Sequence, residues 1–227
     1  MTVQSFEGVS DNKAAILKEL LQGVSHIKHA TIRIQGDKVI YFDPIEIKGQ
    51  PKDADIIFIS HSHGDHFSMK DIKKLAKDST VLIMTGDMVE TAVKGGFTNI
   101  VTVAPDKNYE IDGVKFSTVP AYNINKSFHK KESGWVGFIV EMNNTRYYVA
   151  GDTDIIPEMK NIKANVVFLP VGGTYTMTWD EAVRAAAVIK PTIAVPIHFG
   201  EIVGSREDAK AFVENLDESI IGICLQQ

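Results

Sequence analysis

The chain has 227 residues, 44% of them hydrophobic, and a formal charge of −5; it is long enough to bury a core unaided and has no general field for phosphate backbones, so nucleic-acid binding is not expected. Cys224, the one cysteine, excludes an intramolecular disulfide and a thiolate zinc site, so any metal must sit on nitrogen and oxygen. Glu7 and Asp11 interrupt the apolar run that a secretory signal needs, and no segment has membrane-span length, so one cytoplasmic domain over residues 1–227, with no membrane partner and an open oligomeric state, is expected.

Asn12 to Leu21 carries apolar residues at helical spacing. Ala30 to Ile34 and Val39 to Phe42 flank Gly36-Asp37 as the arms of a hairpin. Asp43-Pro44 ends the second arm, and an acid there suits a hydrogen bond to the back of a ligand imidazole. Ile56 to Ile59 lacks alternation and reads as a buried central strand, as does Val81 to Met84. Between them Ser68, with Asp71 three residues on, caps a helix running to Ala76. Two more hairpins turn at Asp112-Gly113 and Asn143-Asn144, residue types that accept positive φ. Val166 to Leu169 and Ile193 to Ile197 are further buried strands, the latter placed at an edge or strand end by Pro196. Thr178 and Glu181 form a capping box for a helix that Pro191 stops after Ile189, and Ser205 to Leu216 is a similar helix. Hairpins followed by alternating strands and helices, twice over, predict a mixed-sheet architecture in two comparable halves, with no internal repeat.

The chemistry is concentrated in His61-Ser62-His63-Gly64-Asp65-His66, a loop between a buried strand and a capped helix. Residues two apart in extended chain point the same way, so His61 and His63 can share one metal, and Gly64 lets the chain turn and aim Asp65 and His66 at a neighbouring position. Three imidazoles and a carboxylate suit a borderline-hard divalent ion. Two other apolar strands run directly into ligand-type residues, at Gly151-Asp152-Thr153 and at His198. A site at one end of a sheet requires this placement. His26 and His29, with no ligand partners in sequence, read as structural. The paired glycines Gly172 and Gly173 fit either a close backbone approach or a simple loop.

These motifs resemble the metallo-β-lactamase superfamily, and the surrounding sequence resembles its branch of small metal-dependent hydrolases related to ascorbate-phosphate lactonase, over about Thr31 to His198. The resemblance implies an α/β (α+β) four-layer αββα sandwich with a two-metal site at one edge of the paired sheets. It also implies His61 and His63 on the first metal, Asp65, His66 and His198 on the second, and Asp152 bridging. The third imidazole of the first metal is missing from its usual stretch, Val119-Pro120-Ala121-Tyr122-Asn123, and His129 is the expected replacement. Expected cofactors are two divalent ions, zinc first, with manganese or iron as options.

The expected reaction is attack of a metal-bridging hydroxide on a small ester, lactone, amide or phosphoester, with Asp65 taking a proton. Asn123, Lys126 and Tyr175 are the expected substrate contacts, and Lys126, Lys130 and Lys131 would suit an anionic small molecule. The alternatives are a di-iron redox protein on the same fold, which normally replaces a cluster imidazole by glutamate, and a metal-binding protein without turnover.

Overall fold

Strands form where runs of Ile, Val, Phe and Tyr lie between turn residues, and the computed structural model describes residues 10–200 and 202–225, so that Glu7 lies outside the described residues. The first half contains α1 (Asp11–Leu20), β1 (Val24–Lys28), β2 (Thr31–Gln35), β3 (Val39–Phe42), β4 (Ala54–Phe58), α2 (Met69–Leu75), β5 (Ala76–Thr85), α3 (Val89–Lys94) and β6 (Ile100–Val103). Its strands lie side by side in chain order, antiparallel through β3 and parallel thereafter. The second half contains β7 (Asn108–Ile111), β8 (Val114–Pro120), β9 (Val136–Met142), β10 (Thr145–Val149), β11 (Val166–Pro170), α4 (Trp179–Ile189), β12 (Ile193–Ile197), α5 (Arg206–Glu214) and β13 (Ile221–Gly222). It repeats the plan, with antiparallel pairing from β7 to β10 and parallel pairing from β10 to β13.

Both sheets bury both faces, which is why their parallel strands read as continuous apolar runs. Between the sheets, Phe58 of the first packs 5.0 Å from Phe138 and 5.1 Å from Phe116 of the second. Outside the first sheet, Ile72 and Leu75 of α2 and Ala92 of α3 pack on Ile57 and Leu82. Outside the second, Ala182, Ala185 and Ala186 of α4 and Phe212 of α5 pack on Val167, Leu169 and Ala194. The layers are therefore α, β, β, α, as the resemblance implied.

The expected caps form: Ser68 accepts from the Asp71 amide, the Thr178–Glu181 box closes in both directions, and Lys190 ends α4 in the left-handed region before Pro191. Asp112, Gly113, Asn143 and Asn144 take positive φ at their hairpin turns. The Gly36-Asp37 turn differs, since neither residue does so. Gly36 instead gives room to a neighbour, since a Cβ there would lie 2.0 Å from Asn143 Oδ1 of the adjacent hairpin and would have to displace that side chain. At Pro196 a partner strand lies on one side only, β13 pairing no further than Ala194, and a missing N–H is tolerated there.

Candidate metal centre

Six chain segments deliver polar residues to one end of the two sheets, one of them the loop between β8 and β9 that carries His129. Asp43 follows β3, Ser60 and the histidine loop follow β4, Asp152 follows β10, His198 follows β12, and His29 occupies the tight turn between β1 and β2. Two glycines let these ends approach. A Cβ on Gly151 would stand 3.0 Å from Ser60 Cβ, and one on Gly172 would stand 2.5 Å from the His198 carbonyl oxygen. The close approach at Gly172 is thus to the backbone of a candidate ligand.

The donor atoms fall into two groups that share a carboxylate. His61, His63 and His129 form the first, and His29, Asp65, His66 and His198 the second, with the donors of each group mutually within 4.8 Å. Asp152 lies between them: its Oδ2 is 3.3 Å from His129 Nε2 and 3.1 Å from His198 Nε2, and its Oδ1 is 3.2 Å from His66 Nε2. All the ligand candidates named from sequence therefore converge, His129 among them. Cys224 contacts the Ala209 carbonyl at 3.7 Å and has no part in this cluster.

The site is incomplete as protein alone. His61 Nε2, His66 Nε2, His129 Nε2, His198 Nε2 and Asp152 Oδ1 are buried without hydrogen-bond partners. At about 1–3 kcal/mol for each unsatisfied buried group, that cost rivals the net stability of a whole domain, about 5–15 kcal/mol. Divalent cations would satisfy all five atoms, and nitrogen and carboxylate oxygen are donors such ions accept.

The charges agree with that reading. Burial pushes the Asp152 carboxyl up, but the His198 and His66 imidazoles outweigh it and hold the group well below the usual carboxylate range. Asp65 is likewise raised by burial and then brought well below its ordinary value by the His198 and His29 imidazoles beside it. For His61, burial and the neighbouring His66 drive the pKa far down, leaving a neutral ring with a free lone pair.

Supporting residues fix which nitrogen of each ring faces the centre. His66 Nδ1 donates to Asp43 Oδ2 at 2.8 Å, the contact anticipated for this acid. Ser60 Oγ donates to the same oxygen at 2.6 Å and stands 2.9 Å from His61 Nδ1, so one carboxylate orients an imidazole in each group. Asn123 Oδ1 accepts from the amide and Nδ1 of His129, both at 3.1 Å. Its Nδ2 donates to Asp154 and to the Tyr175 carbonyl. All four hydrogen-bonding positions of Asn123, expected to meet substrate, are thus engaged.

Lys126 bonds Asp154 Oδ1 at 2.5 Å and the Thr176 carbonyl at 2.7 Å, and Lys131 bonds Glu158 at 2.9 Å. Tyr175 is half-buried, edge-on to Phe128 at 4.6 Å. Trp135, which the sequence reading passed over, packs with its ring centroid 5.0 Å from that of His61, tilted, and 4.8 Å from that of His63, edge-on. His29, read from sequence as structural, lies among the donors of the second group, while His26 supports it by donating Nε2–H to its carbonyl at 2.7 Å.

Paired mixed sheets with helices outside and a histidine-aspartate cluster at the strand ends constitute the metallo-β-lactamase fold. The chain belongs to that superfamily, since the family model described as "Beta-lactamase superfamily domain" matches residues 23–198. A UPF0173 metal-dependent hydrolase of Pyrococcus abyssi is 32% identical over 193 residues, 78% of this chain and 84% of that protein. Among solved structures, Igni18, a metallo hydrolase from Ignicoccus hospitalis, superposes with a TM-score of 0.75 at 20% identity, over 89% of this chain and 94% of that one. CmlA, a diiron β-hydroxylase from Streptomyces venezuelae, superposes with a TM-score of 0.70 at 12% identity, over 90% and 53%. At these identities the two structures speak for the fold alone.

Proposed function

We propose that this protein is a hydrolase holding two divalent cations, one on His61, His63 and His129 and the other on Asp65, His66 and His198, with Asp152 shared. The observation that carries the reading is the set of buried Nε2 atoms and the Asp152 oxygen that face one space without protein partners. The relatives named as metal-dependent hydrolases support it. Bound cations would lower the pKa of water and polarise the bond under attack.

The chain's own residues supply the rest. Asp65 is less buried than the His66 beside it and stands among the donors of the second group, so it is placed to take the proton of the attacking water as well as to bind metal. Half-buried His63, beneath Trp135, marks the side from which substrate enters. The substrate class is a small ester, lactone, amide or phosphoester. Of the three lysines expected to suit an anion, Lys126 and Lys131 are each paired to an acid and only the exposed Lys130 is left, which ranks uncharged acyl compounds first.

Elemental analysis of protein purified without added metal, followed by a panel of esters, lactones and amides, tests this reading. About two ions per chain, zinc or manganese, and turnover abolished in Asp65→Asn and His61→Ala are expected. Turnover that survives either substitution would overturn it, and iron would favour a redox role.

A further inference from the structure

The second donor group holds one imidazole more than the proposed ligand set uses. Asp65 Oδ2 stands 3.7 Å from His66 Nε2, 3.6 Å from His198 Nε2 and 3.3 Å from His29 Nε2. Ligand atoms 2.0–2.2 Å from one tetrahedral ion lie about 3.3–3.6 Å apart. By this measure His29 fits the ion as well as its two neighbours do. Its ring packs 3.8 Å from that of His198, it is wholly buried, and its Nδ1, like that of His198, has no partner.

The turn around His29 is built to hold this pose. His29 has a φ of 50°, a left-handed conformation uncommon for a side-chain-bearing residue. It is locked there because the His29 carbonyl accepts from the His198 amide at 2.9 Å and from His26 Nε2 at 2.7 Å. A bond through the backbone thus joins His29 directly to an established candidate ligand. If His29 kept a proton on Nε2 for Asp65, that proton would point into the space that the His66 and His198 nitrogens face. With a cation in that space, the His29 ring would carry its proton on Nδ1, which has no partner, and offer the Nε2 lone pair.

We propose that His29 is a ligand of the second cation, which then has His29, Asp65, His66, His198 and the shared Asp152, against His61, His63, His129 and Asp152 for the first. This rests on the two-cation reading above. The two positions differ in kind: the second exceeds the four donors of an ordinary closed zinc site and suits ions that accept higher coordination, such as manganese or ferrous iron.

The test is to load metal-free protein, labelled with 15N-histidine, with 113Cd2+. A ring nitrogen bonded to cadmium shows its signal split by one-bond coupling, whereas one that only hydrogen-bonds does not. Of the seven histidines, all except His26 are expected to show a split nitrogen, with two cadmium ions per chain. His29→Gln and the volume-filling His29→Phe assign the His29 signal, and the wild-type pattern decides the matter even if neither variant folds. Two bound cadmium ions with His29 unsplit would overturn the assignment while leaving the two-cation reading intact. Fewer than two ions per chain at saturation would overturn both.

Discussion

The two donor groups share Asp152 but otherwise differ in charge and in access. The first is three imidazoles with no carboxylate among them, one of the rings half-buried beside Trp135. The second contains the Asp65 carboxylate, and its histidines are wholly buried. A cation among neutral nitrogens keeps more of its charge for substrate and water, whereas one beside its own carboxylate is better neutralised and held more tightly. On the proposed two-cation reading, the first position would activate substrate and the second would chiefly be retained. On stepwise chelation the first ion should leave before the second.

Asp43→Asn should erase much of that difference, because Asp43 supports His66 directly and His61 through Ser60. Loss of such an orienting carboxylate costs about 10–100-fold in metal affinity, and here both positions should weaken. Competition with a chromophoric chelator measures it. A loss confined to one ion would show that the Ser60 relay carries nothing to His61.

Asn123→Leu should sharpen the difference. Of the candidate ligands Asn123 touches only His129, so the first ion should bind about tenfold more weakly while the second is unchanged. The same chelator competition reads both constants, and equal weakening would mean that the loop from residue 123 to 133 also supports the second position.

Legibility from sequence divides along the same line as the chemistry. His61, His63, Asp65 and His66 were visible because strand, glycine and capped helix set them in one short loop. Asp152 and His198 were visible because each follows an apolar strand at once. His29 was hidden, since it owes its place to a left-handed turn and to a backbone bond from His198, 169 positions away, which no spacing rule encodes. The Asn123 expectation had the right neighbourhood but missed that its carboxamide would be used up behind His129. In the fold, the mixed sheets in two halves and the three expected hairpins could be read from turn residues and apolar runs, whereas the αββα order was legible only through the family resemblance and the hairpin of β1 and β2 was not read. Helix α3 could not, because Met88 offers no side-chain cap to announce it, and the edge strands β6 and β13 are too short to stand out.

The smallest expected effect concerns the floor beneath the second group. His26 is buried, and burial lowers its pKa from 6.5 to about 4. Above pH 6.5 the ring is neutral in folded and unfolded chain alike, and burying it carries no ionisation penalty. As pH falls from 6.5 towards 4 the unfolded chain takes up a proton that the folded chain refuses, so stability is lost across that window. Between pH 7 and pH 4.5 this should cost wild-type protein on the order of 1–2 kcal/mol more than His26→Leu, measured by urea unfolding of the metal-free protein so that ligand release does not contribute. His26→Leu should be slightly weaker at pH 7, for want of the bond to the His29 carbonyl, and the two stability curves should draw together as acid is added. Curves that stay parallel would place the acid sensitivity of this region in the histidines of the donor cluster and not in His26.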